Sequence, residues 1–129
     1  MADNSVGSTL KRDETASLIG SDKVEGTAVF GMDGNRVGKI ERVMIDKRSG
    51  QVTCAVVSFG GFLGMGADHY ALPWPLMTYD PNLGGYRANV TEARIKGAPK
   101  DNRSAGNWDH ATTKNVFDYW QVRYLWSAE

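Results

Sequence analysis

The side chains best suited to chemistry in this sequence are those of one cysteine and two histidines. Cys54 lies in the apolar run 52–57, where a thiol normally serves as a small buried hydrophobic group. A reactive thiolate needs a neighbouring base and partial exposure, and the surrounding residues offer neither. With a single cysteine, the chain cannot form an internal disulfide or a cysteine-based zinc site.

His69 and His110 each follow an aspartate, but neither pair has the spacing of a metal-binding motif. Adjacent side chains do not share a face of a strand or helix, so the two distant segments would have to converge to hold an ion. No motif supplies a nucleophile or a second carboxylate for acid–base chemistry. The sequence therefore predicts no catalytic residue, no metal, no cofactor and no enzymatic activity.

Residues 59–66 combine four glycines with large apolar side chains. A phosphate-binding loop needs Gly-Lys-Ser/Thr entering a helix, or spaced glycines that open one, whereas this segment leads into a predicted strand. We therefore expect a bent connection rather than a nucleotide site. Phe62, Leu63 and Met65 are expected to be buried within the chain or at a dimer contact, because together in solvent they would form an adhesive patch.

The composition is that of one soluble domain with its own core: 129 residues, 41% hydrophobic and 23% charged. Acidic and basic residues balance at 15 each, which disfavours nucleic-acid binding without excluding it. Residues 1–22 lack an apolar leader, and no apolar stretch approaches the ~20 residues of a transmembrane helix. We expect a cytoplasmic protein without membrane insertion.

Residues 23–98 follow a pattern of strands and tight turns. β-Branched and aromatic residues predict strands at 24–32, 36–46, 51–59, 70–75, 76–79 and 86–90. Glycine and asparagine mark turns at 33–35, 47–50 and 81–85. Apolar side chains on both faces of 36–46 indicate a strand that bends or bulges. Thr91 and Gly97 are predicted to cap and end one helical turn.

The two ends of the chain differ in character. Residues 1–22 form a predicted flexible arm that could dock through Leu18 and Ile19. Residues 99–129 form a linker and an aromatic tail, predicted helical from 112 to 126, with Val116, Phe117 and Trp120 on one apolar face. The tail aromatics could cover the strand-rich domain of the same chain, a second subunit or a foreign partner. Stacking on single-stranded RNA is a minor alternative, because no basic run accompanies them.

Several segments resemble the PRC-barrel domain family. They are GTAVF at 26–30, VGKIERVMID at 37–46, GQVTCAVVSFGGFLGMG at 50–66 and the step Leu72-Pro73-Trp74. The resemblance covers roughly residues 22 to 98 and implies a mainly β fold. A small, strongly bent antiparallel sheet would close into a PRC-type barrel, here with a short helical C-terminal extension.

The family includes the cytoplasmic domain of the photosynthetic reaction-centre H subunit and the C-terminal domain of a ribosomal maturation factor. The resemblance carries over no catalytic residues. We see neither the transmembrane helix of the first nor the separate N-terminal barrel of the second, so we expect a stand-alone bacterial member.

The sequence thus predicts a non-enzymatic protein-interaction or scaffold module of unknown protein partner, self-associating as a homodimer. The candidate interaction surface consists of Phe62, Leu63, Met65, Trp108, Phe117, Trp120, Tyr124 and Trp126. The alternative, by analogy with the maturation-factor barrel, is an RNA- or ribosome-assembly-related factor. That role would need a local basic face, for which the candidates are Arg36, Lys39, Arg42, Lys47 and Arg48.

Overall fold

A curled six-stranded sheet forms the centre of the molecule. The computed structural model describes residue 15 and residues 17–60, 68–99 and 110–126, the side chain of His110 excepted. The strands are β1 (Ala28–Phe30), β2 (Arg36–Ile45), β3 (Val52–Phe59), β4 (Asp68–Pro73), β5 (Met77–Asp80) and β6 (Gly85–Ala88). The helices are α1 (Ser21–Val24), a 3₁₀ turn (Trp74–Leu76), α2 (Glu92–Lys96) and α3 (His110–Trp120). This is the mainly β fold with a C-terminal helix that the sequence predicted.

The strand order is β4-β3-β2-β1-β6-β5, and neighbouring strands are antiparallel except at one position. Strands β1 and β6 run parallel, with Val29 opposite Tyr86 and Phe30 opposite Arg87. The predicted bent antiparallel sheet is confirmed, with this one parallel pair added to it. The β5–β6 hairpin reaches the edge of β1 through a long connection, and only such a connection allows a parallel pairing.

Strand β2 bends through two irregularities in its pairing with β3, between Ile40 and Arg42 and between Met44 and Ile45. This confirms the predicted bending strand, since each bulge locally increases the twist. A Cβ atom at Gly38 would overlap the backbone carbonyl oxygen of Ser58. Glycine at this position therefore permits the close approach of β2 to β3 that the curled sheet requires.

Strand β3 is buried on both faces. Residues 53–58 are all buried, and Cys54, Ala55 and Val56 have no exposed side-chain surface. Successive side chains in a strand point to opposite faces, so other elements cover each face of β3. This confirms the predicted central strand and the assignment of Cys54 to the core. The same core cluster continues into α3 through Val116, Phe117 and Trp120.

The strand predicted from residue 24 begins later than expected. Val24 ends α1 and is buried, and Gly26 adopts a φ of +87° before β1 starts at Ala28. The Thr27 hydroxyl donates a hydrogen bond to the Lys23 carbonyl at 2.7 Å, which secures this turn. Val24 therefore reaches the core from a helical turn rather than from a strand.

Helix α2 has the ends that the sequence predicted. The Thr91 side chain accepts a hydrogen bond from the backbone N–H of Arg94 at 3.2 Å, and Gly97 is the C-cap. Among the described residues, no helix is long and apolar enough to cross a membrane.

Candidate interaction surface at the C-terminal segment

Helix α3 packs against β4 and contributes to the core of its own barrel. Phe117 has no exposed surface, and Trp120 is only 8% exposed. The ring of Phe117 lies edge-on to Tyr124 at 5.0 Å and to Trp126 at 6.0 Å between ring centroids. Of the arrangements left open by the sequence, these side chains adopt the one on the same chain. A substitution at Phe117 or Trp120 therefore affects folding as well as any contact.

The helix predicted to reach residue 126 ends at Trp120, which corrects that boundary. Gln121 has a φ of +59°, and its N–H donates to the Asp118 carbonyl at 3.1 Å. The N–H of Val122 donates to the Phe117 carbonyl at 3.0 Å. These two bonds form a Schellman termination, in which the left-handed position usually holds glycine. Because glutamine occupies it here, the sequence carries no visible stop.

Beyond the helix, residues 122–126 alternate between the core and solvent. Val122, Tyr124 and Trp126 are partly buried and pack against the core. Arg123 and Leu125 are exposed, Leu125 by 66%. This period of two is typical of an extended segment lying on a surface.

A reciprocal contact between Arg94 and Tyr119 attaches α3 to α2. The Arg94 guanidinium donates to the Tyr119 carbonyl at 2.6 Å, and the Tyr119 hydroxyl donates to the Arg94 carbonyl at 2.7 Å. The guanidinium carbon also lies 4.3 Å from the centroid of the Tyr119 ring, within cation–π range. A Cβ at Gly97 would lie 2.9 Å from the Tyr119 hydroxyl oxygen, so this glycine leaves space for the contact.

Sequence reasoning missed this contact, which we call the Arg94–Tyr119 clamp. The two residues are 25 positions apart, and no periodicity links them. An arginine in the last turn of a short helix is common, because cations stabilise helix C-termini. Only the fold shows that Arg94 binds the end of a different helix.

Tyr124 lies within electrostatic range of the β2–β3 hairpin. Burial raises the pKa of the Tyr124 hydroxyl, and the nearby acidic groups of Asp46 and Cys54 raise it further. Ile45 immediately precedes Asp46 and is 51% exposed. We name Ile45, Tyr124, Leu125 and Trp126 the hairpin–tail surface; Tyr124 and Trp126 belonged to the predicted interaction surface, whereas Ile45 and Leu125 did not.

The remaining predicted surface residues, Phe62, Leu63, Met65 and Trp108, lie outside the described residues. So does the side chain of His110. His69 is partly buried near the start of β4. Within the described ranges, no three His, Cys, Asp or Glu side chains come together in a group that could hold a metal ion.

The predicted basic residues separate along β2. Arg36 and Lys39 line one cleft with His69, while Lys47 and Arg48 lie in the turn beyond the other end of the strand. A ten-residue strand extends over about 30 Å. Five basic residues close in sequence thus do not gather at one point of the fold.

Comparison with known proteins supports the architecture just described. The sequence model of the PRC-barrel domain matches residues 18–95, which include all six described strands. No curated protein matches the chain. Helix α3 and the extended segment after it lie beyond the matched residues. The match spans more than half of the 129 residues, and the chain belongs to the PRC-barrel domain family.

Proposed function

We propose that this protein is a non-enzymatic cytoplasmic interaction module that self-associates through the hairpin–tail surface. The observation that carries the proposal is the 66% exposure of Leu125 between the rings of Tyr124 and Trp126. Ile45, which is 51% exposed, is included because it precedes Asp46, whose charge acts on Tyr124. Exposed apolar side chains that group together commonly mark protein-binding sites. Tyr124 and Trp126 add partly exposed rings of the kind favoured as interface anchors.

A binding role rather than a catalytic one is supported by how the polar groups are used. The Cys54 thiol is buried in the central strand, and burial in apolar surroundings makes a thiol unreactive. Tyr119 and Arg94 are engaged with each other's backbone carbonyls. The barrel then serves as a rigid platform, and the C-terminal segment attached to it provides the contact.

Self-association is favoured by the charges around the hairpin–tail surface. Arg123 is an exposed cation within the extended segment. The negative charge of Asp46, in the hairpin, helps to raise the pKa of Tyr124. In a two-fold dimer the same patch faces itself, so residues of opposite charge on one copy can meet across the interface. A surface carrying both signs around an apolar centre is suited to this arrangement.

Sedimentation velocity over a range of protein concentrations tests the proposal. The wild-type chain is expected to show a dimer that dissociates on dilution. Leu125→Glu and Ile45→Glu should raise the dissociation constant at least tenfold, because each would bury an unpaired carboxylate at the contact. Leu83→Glu is the matched control, since Leu83 is also an exposed leucine, at 37%, but lies in the β5–β6 turn.

A wild-type protein that remains monomeric at every concentration would rule out self-association. If Leu83→Glu weakened the dimer as much as Leu125→Glu and Ile45→Glu, the effect would come from the added negative charge rather than from this surface. Phe62→Ala and Leu63→Ala belong in the same series, because they test whether the glycine-rich segment contributes to the contact.

A further inference from the structure

A cleft of about 480 Å³ lies where β2 begins and β3 ends. Its lining includes Arg36, Gly38, Lys39, Glu41, Ser58 and His69. The cleft lies at the other end of β2 from the Ile45–Asp46 end of the hairpin, so it is separate from the hairpin–tail surface.

The strand register explains why basic groups meet here. Lys39 pairs with Ser58 across β2 and β3, and Ser58 pairs with His69 across β3 and β4. Directly paired residues share a face of the sheet, and neighbouring strands are about 4.8 Å apart. Lys39 and His69 therefore flank the short side chain of Ser58 on one face. Asp68, one residue before His69, belongs to the opposite face.

The floor of the cleft is made by small residues held in place by the sheet. The Ser58 hydroxyl is directed to the Lys39 carbonyl oxygen, at 3.5 Å, and Gly38 has no side chain to fill the space above the strand. Gly38 lines the cleft, and a Cβ there would overlap the Ser58 carbonyl oxygen, so this part of the lining depends on glycine.

The charge lining the cleft is suited to an anion. Arg36 and Lys39 are both exposed, and Glu41 is the one carboxylate among the described lining residues. Between described residues, neither Arg36 nor Lys39 forms a side-chain hydrogen bond or ion pair. Two permanent cations thus face one carboxylate, and a ring N–H of His69 adds a hydrogen-bond donor in either of its neutral forms.

We propose that this cleft binds a phosphate group, carried by inorganic phosphate or by a small phosphomonoester. A guanidinium can bind two phosphate oxygens at once, and a lysine ammonium contributes a point charge. Because both cations are exposed to solvent, where ion pairs are weak, the dissociation constant is expected to be on the order of 1 mM. This site does not depend on self-association.

Titration of the full-length ¹⁵N-labelled protein with sodium phosphate, at an ionic strength kept constant with sodium chloride, tests the site by NMR. Saturable amide shifts are expected at Gly38, Lys39, Ser58 and His69. Arg36→Gln and Lys39→Gln should each weaken binding about tenfold, as expected for losing one charge-assisted contact. Lys47→Gln, an exposed lysine outside the cleft, should bind like the wild type.

A second titration with adenosine monophosphate distinguishes the two sources of the phosphate group. Equal affinity identifies the phosphate alone as the ligand, and tighter binding of the nucleotide identifies a phosphomonoester. Amide shifts that increase linearly without saturation for both probes would overturn the proposal. So would a loss of affinity in Lys47→Gln as large as the loss in Arg36→Gln and Lys39→Gln. The amide spectrum of each variant also reports its fold, so a loss of binding can be separated from unfolding.

Discussion

The central strand and the C-terminal segment are both buried in the same core, yet they arrive there by different means. Strand β3 is a nearly continuous apolar run, broken only by Thr53 and Ser58, whose composition favours burial on both faces. Helix α3 is short and polar on much of its surface, and it is held by Phe117, by the Arg94–Tyr119 clamp and by the turn at Gln121. Local pattern specifies the barrel, whereas a few long-range contacts specify the docking of the C-terminal segment.

Phe117→Ala is the substitution expected to have the largest effect on stability, and it tests whether the C-terminal segment is part of the core. If α3 is an integral part of the core, this change should lower the free energy of unfolding by about 3–5 kcal/mol. Urea denaturation followed by circular dichroism measures it. Leu125→Ala in the same segment should change stability by less than about 0.5 kcal/mol, because that side chain is mostly exposed. A loss below about 1 kcal/mol for Phe117→Ala would mean that the helix is only loosely attached.

Gly38→Ala tests the barrel side of the comparison. The added methyl group would overlap the Ser58 carbonyl, so β2 and β3 must separate, at a cost of about 1–3 kcal/mol. The expected result is a lower urea midpoint together with faster amide exchange in both strands. Lys39→Ala, at the exposed neighbouring position, should leave stability nearly unchanged. Full stability of Gly38→Ala would show that the strands approach less closely than described.

The clamp is tested by a double-mutant cycle of Arg94→Ala and Tyr119→Phe. Tyr119→Phe removes the hydroxyl that donates to Arg94, while Arg94→Ala removes the guanidinium that stacks on the ring. We expect a coupling energy of about 1 kcal/mol, typical of one hydrogen bond with a cation–π contribution. Additive losses would contradict the clamp. Arg94→Lys should recover only part of the loss, because lysine lacks the planar guanidinium.

The smallest effect is expected at Gln121. Glycine adopts a left-handed φ without the steric cost that a Cβ imposes, so Gln121→Gly should raise the free energy of unfolding by about 0.5–1 kcal/mol. Gln121→Ala is the control, since alanine keeps the Cβ and should give no such gain. A loss of stability in Gln121→Gly, measured by thermal unfolding, would show that the glutamine side chain itself fixes the turn.

Sequence-based inference was accurate for the strands, which local patterns specify, and less accurate for the C-terminal segment, which long-range contacts specify. The predicted strands at 36–46 and 51–59 match β2 and β3 to within one residue at each end, because β-branched residues and flanking turns act locally. The end of α3 was misplaced because Gln121 is an unusual residue for a left-handed turn. The exposure of Ile45 and Leu125 was not predicted because it depends on which elements cover them, and the role of Arg94 was not predicted because its partner is distant in sequence.

The proposed phosphate cleft shows the same limit. Arg36, Lys39 and His69 are separated in sequence, and only the pairing of three strands brings them together. The sequence suggested Arg36 and Lys39 as part of a longer basic face that also included Lys47 and Arg48. The fold instead places the first pair with a histidine and the second pair beyond the far end of β2.

The most direct test of the account is hydrogen–deuterium exchange of the wild-type chain, compared between dilute and concentrated protein. The proposal predicts that concentration increases protection at residues 43–46 and 122–126, which carry the hairpin–tail surface, and leaves the cleft around Lys39 unchanged. Protection that appears elsewhere in the barrel, or at no position, would contradict self-association through this surface.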